Sequence, residues 1–127
     1  MFLKHYLRVV IWIFVLSSLA QAFAPRATAG ASVWGFAPGW QREIAIFDLA
    51  FALMAFLASR DSDLSFRRGV VWTLVVMTAL VGTNHLATVV SGQSALLHNT
   101  FVGVNFAITA FGLLALYASR EARGLER

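Results

Sequence analysis

The chain has 127 residues, enough for one domain, with 59% hydrophobic residues, 13% charged residues and a formal charge of +4. Soluble domains carry about one quarter charged residues, so this chain has too little charge to cover a water-facing surface, and its mean hydropathy of +0.73 points to lipid as its solvent. The basic residues that raise the pI to about 10.7 stand at segment ends rather than on an aromatic-interleaved face, which excludes nucleic acid as a partner, and the lack of cysteine excludes disulfides, thiolate metal sites and thiol catalysis.

A transmembrane helix needs about 20 mostly apolar residues, and four stretches qualify. The first runs from Tyr6 to Ala24. Lys4 and Arg8, the apolar run Val9 to Leu16 and the triplet Ala22-Phe23-Ala24 also fit a secretory signal, with a second small-residue site at Ala27-Thr28-Ala29. Pro25 makes the first site a poor one, because its fixed ring suits few protease subsites. Retention of this span is therefore expected. A loop of small residues, Pro25 to Gly39, leads to the second span, Trp40 to Ser59. Trp34, Phe36 and Trp40 there read as interfacial anchors. The charged stretch Arg60 to Arg68 precedes the third span, Gly69 to Ser91. Only Gly92 to Leu97 separates that span from the fourth, His98 to Ser119, so the last two form an antiparallel hairpin.

Lys and Arg bias sets orientation. Lys4, Arg8, Arg60, Arg67, Arg68, Arg120, Arg123 and Arg127 fall on one side, and only Arg26 and Arg42 on the other. The expectation is an all-α integral membrane bundle of four transmembrane helices, a single domain over residues 1–127 with both termini cytoplasmic, in a bacterial inner membrane.

Ionisable groups inside a membrane are costly, so each one is a candidate for function. The candidates are Arg42, Glu43, Asp48, Asn84, His85, His98, Asn99 and Asn105. At about 1.5 Å per helical residue, Asp48 and Asn105 lie about 12 Å below the outer boundary and His85 about 9 Å. All eight belong to the outer half of the bilayer, and the inner half of the same helices is nearly free of polar groups.

Facing follows from the three-four spacing of small and polar residues. On the second span Ala45, Asp48, Ala52, Ala55 and Ser59 share a stripe. Thr78, Gly82 and His85 share one on the third span, as do His98, Val102, Asn105, Thr109 and Gly112 on the fourth. Turned together, these faces give a polar pocket, with the first span as a wall. A carboxylate as deep as Asp48 must be protonated or paired, and His85 at similar depth is the expected partner.

Glu43 also reads as a first-turn acid on the helix dipole, Arg42 as an interfacial snorkel and the asparagines as interhelical hydrogen bonds. Glu43, Asp48, His85 and His98 are the candidate metal ligands, although no tight metal-binding spacing is present. His85 with His98 would be the pair for a haem, and the aromatics could seat a porphyrin or quinone. No phosphate-cradling glycine loop, nucleophile elbow or serine–histidine–aspartate arrangement occurs, and no catalytic residue is expected.

The segment Gly39-Trp40-Gln41-Arg42-Glu43-Ile44, the segment Gly82-Thr83-Asn84-His85, and Asn99 with Gly103 to Asn105 resemble a family of small four-helix bacterial membrane proteins of unknown function. The resemblance covers Trp34 to Tyr117 and extends to the DoxX-like group in size and layout only. It implies that Glu43, His85 and the asparagines of the fourth span are family features, and it brings no activity. The expected role is a non-enzymatic accessory or interaction subunit with a polar pocket. The alternatives are a proton-coupled small-molecule carrier and a metal-, haem- or quinone-binding subunit of an electron-transfer assembly. The expected partners are the lipid bilayer and either a second copy or a larger membrane complex.

Overall fold

The computed structural model describes residues 2–93 and 95–124, with side chains to Arg120. Five helices follow one another: α1 (Phe2–Phe23), α2 (Pro25–Gly30), α3 (Pro38–Arg60), α4 (Leu64–Val90) and α5 (Leu96–Gly124). The described residues contain no strand, so the chain is all-α. At 1.5 Å per residue, α1 and α3 extend about 33 to 35 Å, the scale of a hydrocarbon core.

Three helices are both long and apolar enough to cross a membrane: α1, α4 and the Leu96–Arg120 part of α5. Four were expected from the apolar runs. The fourth, α3, has the length but carries Arg42, Glu43, Asp48 and Arg60, too many charges within one membrane-crossing length to stand with the other three.

Proline sets two of the helix starts. Pro25 and Pro38 occupy the first turns of α2 and α3, where a missing N–H costs nothing and a fixed φ favours the helix. Pro25 thus converts part of the expected Pro25–Gly39 loop into a short helix, and true loop begins at Ala31. At the other end of the molecule Asp63 caps α4, its Oδ1 accepting the Ser65 N–H at 2.7 Å. Arg67 folds back to donate to the carbonyls of Ala58 and Asp61, which closes the exposed last turn of α3. The α4–α5 turn is a Schellman motif. Gly92 stands at φ +82°, its N–H reaching Val89 O at 3.1 Å while the Gln93 N–H reaches Thr88 O at 3.2 Å.

The helices pack as two pairs, α1 along α3 and α4 along α5, with α1 also lying against α5. Lipid is as apolar as leucine, so close packing rather than water exclusion must hold such helices together. The predicted stripes do this. Ala45, Ala52, Ala55, Thr78, Gly82, His85, His98, Asn105 and Gly112 are all buried. Ser18 donates to Ala45 O at 2.8 Å between α1 and α3, and Thr78 and Thr109 hydroxyls meet at 2.8 Å between α4 and α5.

The apolar core fills one end of the bundle. It joins Leu3, Tyr6, Leu7 and Val10 of α1 with Ala55 and Ala58 of α3, Leu74 and Val75 of α4, and Leu116 of α5. The first helix is therefore part of the core and not merely a wall. The outward faces are also apolar: Trp12 and Leu16 on α1, Ile46, Leu49, Leu53 and Phe56 on α3, Leu80 on α4 and Leu114 on α5 are all exposed.

Candidate functional site

The end opposite the core is where α1 and α4 finish and α3 and α5 begin, and it holds a cavity of about 440 Å³. Its walls come from all four long helices, and α2 with the following loop adds Thr28, Ser32, Trp34 and Gly35. Polar groups converge in it: Ser17 and Gln21 from α1, Gln41 and Asp48 from α3, Thr78, Asn84 and His85 from α4, and Asn105 from α5. Aromatic rings supply much of the rest, including Phe14, Trp34, Trp40, Phe47, Phe51 and Phe101.

Asp48 reaches the cavity because it shares the small-residue stripe of α3. Ser17 of α1 hydrogen-bonds its side chain, and Oδ2 is buried with no partner. The expected Asp48–His85 pair does not form. His85 bonds instead to His98, Nδ1 to Nδ1 at 2.8 Å, across the α4–α5 interface. Depth along the helix axis put Asp48 and His85 at one level, but rotation about the axis decides which neighbour each meets.

The surrounding bonds determine the tautomers. The Val33 N–H donates to His98 Nε2 at 3.2 Å. Ser32 Oγ accepts the Trp34 N–H at 3.0 Å, leaving its O–H to donate to the same nitrogen at 3.2 Å. Nε2 of His98 is thus an acceptor, so its proton sits on Nδ1 and is donated to Nδ1 of His85. His85 then carries its own proton on Nε2, outside the dyad. Its ring is sandwiched, with Trp34 stacked at 5.0 Å and Phe101 at 5.3 Å between centroids. The loop is tied down once more where the Leu97 N–H, an otherwise orphan donor of the first turn of α5, reaches Ala31 O at 3.2 Å. Ser32 to Gly35 therefore form a roof latched to α5 through a buried histidine.

The eight candidate residues separate into three groups. Asp48, Asn84, His85 and Asn105 line the cavity. His98 is fully buried behind it and holds the roof. Arg42, Glu43 and Asn99 lie on exposed positions outside the lining. Asn105 donates to Phe101 O at 2.9 Å and packs against Gly82, where an added Cβ would stand 3.1 Å from the asparagine Cβ.

No three histidine or carboxylate side chains gather into a metal-binding group among the described residues, so Glu43, Asp48, His85 and His98 form no shared ligand set. In the histidine pair the two Nδ1 atoms face each other across a hydrogen bond, and a haem iron would need two nitrogens on opposite faces of a porphyrin.

Several members of the site carry no periodic or charge signal in the sequence. Trp34 and Trp40, expected as interfacial anchors, line the cavity, while Phe36 stands 5.8 Å below the Arg26 guanidinium. Ser32 and the Val33 backbone gave no signal at all. Gln41 is buried, its Oε1 accepting the Ala37 N–H at 3.1 Å to cap the start of α3.

An all-α bundle with three membrane-capable helices and a mixed apolar and polar cavity at one end defines the class: a small helical membrane protein. The chain belongs to the family of unknown function DUF6790, whose model matches residues 2–124. No curated protein and no solved structure matches it.

Proposed function

We propose that the protein is a non-enzymatic, multi-pass accessory subunit of a membrane complex that holds a small molecule in the cavity between its four long helices. The observation that carries this reading is the cavity itself. Its volume of about 440 Å³ lies within the range of small-ligand sites, and its few convergent polar groups stand on mostly aromatic and aliphatic walls. All four long helices cross the bilayer in this reading. The exposed face of α3 is a strip of Ile46, Leu49, Leu53 and Phe56, its charges Arg42, Glu43 and Arg60 stand toward the helix ends, and Asp48 turns into the cavity. An even number of spans with the basic ends inside puts both termini in the cytoplasm and the cavity in the outer half of a bacterial inner membrane.

A proton-coupled carrier is the second reading, favoured by the buried, unpartnered Oδ2 of Asp48. Alternating access requires a route to both sides, and the other end of the bundle is filled by Leu3, Tyr6, Leu7, Leu74 and Leu116. The accessory reading therefore stands first. Extraction of the untagged membrane complex in mild detergent, followed by mass spectrometry of its polypeptides and extractable small molecules, tests it. A stoichiometric partner with a retained small molecule is expected. A lone polypeptide that moves protons or solute across reconstituted vesicles would overturn it in favour of the carrier.

A further inference from the structure

We infer that the cavity selects a lipophilic amine: a small apolar or aromatic body carrying one protonated nitrogen. The inference rests on the pocket reading above and adds the chemical class of the occupant.

Charge balance is the first ground. Among the lining residues Asp48 is the single carboxylate, and no lysine or arginine is present. Oδ2 of that carboxylate is buried and without a hydrogen-bond partner. A carboxyl at this depth is protonated or paired, and only a cation arriving in the cavity that Asp48 lines holds it ionised. The occupant that ionised Asp48 selects is a cation with an N–H.

The walls are the second ground. Six aromatic side chains, Phe14, Trp34, Trp40, Phe47, Phe51 and Phe101, line the same space. Aromatic faces attract cations and accept flat apolar bodies equally well. An anionic molecule would meet Asp48 with no lysine or arginine to compensate it. A neutral molecule would leave Oδ2 as it stands unless it brought a donor.

The amide groups of Gln21, Gln41, Asn84 and Asn105 are uncharged and suit a polar substituent on the ligand. A primary ammonium could also come from the headgroup of an ethanolamine phospholipid. That headgroup brings a phosphate beside the amine, and the lining has no lysine or arginine to receive it. The free amine is the assigned source.

A matched set of dansyl probes tests the inference on the full-length protein in dodecyl maltoside. Trp12→Phe and Trp72→Phe leave Trp34 and Trp40 of the cavity as energy-transfer donors. The cationic probe is dansyl-cadaverine, the neutral one is dansyl-pentylamide and the anionic one is dansyl-aminohexanoate. Saturable transfer to the amine is expected, with the neutral and anionic probes at least ten-fold weaker. Asp48→Asn should weaken the amine by at least ten-fold, and Asp48→Glu should retain it.

Equal binding of the amine and the neutral probe, unchanged in Asp48→Asn, overturns the amine assignment and leaves the pocket reading standing. An absence of saturable transfer from all three probes overturns both. Repeating the titration in nanodiscs with and without phosphatidylethanolamine separates the two amine sources. Unchanged amine binding supports the free amine. Competition by the lipid overturns that source.

Discussion

Gly112 lies so close to Val75 that a Cβ built on the glycine would stand 2.4 Å from the valine Cγ2 and 3.0 Å from two ring carbons of Tyr6. The contact joins α1, α4 and α5 at one point of the core. Backbone approach of this kind replaces the hydrophobic driving force that lipid cannot provide.

Substituting Gly112→Ala should therefore destabilise the bundle, although alanine is the better helix former. Val75 and Tyr6 are themselves buried and have little room to retreat. Overpacking of this type costs about 1–3 kcal/mol. A lower midpoint in detergent-titrated unfolding of the purified protein would register it. Gly103, with nothing within 4 Å of an added Cβ, is the control, and its alanine variant should leave the midpoint unchanged or slightly raised.

The roof of the cavity should depend on His98. Replacing it by phenylalanine keeps a ring of similar size and removes both the acceptor for the Val33 N–H and the donor to His85. Each buried group left unmatched costs about 1–3 kcal/mol. We expect His98→Phe to loosen Ser32–Gly35, seen as a red shift of Trp34 emission together with a lower unfolding midpoint. Unshifted emission would mean that stacking on His85, not the latch, holds the loop. Ser32→Ala removes only one of the two donors to Nε2 and should give a smaller shift.

The native chain has no cysteine, so single cysteines report topology without background. Ser62 lies in the α3–α4 turn at the core end, and Gln93 lies in the α4–α5 turn at the cavity end. With four spans and both termini inside, a membrane-impermeant maleimide should label Gln93→Cys in intact cells. Ser62→Cys should label only after permeabilisation. Labelling of both turns from the same side would show that α4 and α5 cannot both cross as proposed.

The first helix should remain in the mature protein. Tyr6 and Leu7 are fully buried in the core, and Val10 is nearly so. Removal at Ala24 or Ala29 would strip those side chains from Leu74 and Leu116 and open the floor of the bundle. Peptide mapping by mass spectrometry of the protein from membranes should recover the residues of α1. A species beginning near Pro25 or Gly30 would contradict this.

The sequence by itself determined the four long helices, their apolar outer faces and the gathering of polar residues at one end. Apolar runs of helical length and the three-four spacing through Ala45, Asp48, Ala52 and Ala55 are local properties of the chain. Helical rise alone is enough to convert such positions into depth. The tertiary structure decided who meets whom. Depth predicted Asp48 beside His85, but helix rotation and the α1–α3 and α4–α5 pairings gave Asp48 to Ser17 and His85 to His98. The docking of Ser32 and Val33 on His98 joins positions 66 and 65 residues apart, and Trp34 stacks on the neighbouring His85. No periodicity in a loop of small residues encodes such a contact, because its partners are backbone groups and a ring face brought together only when α5 packs beside α4.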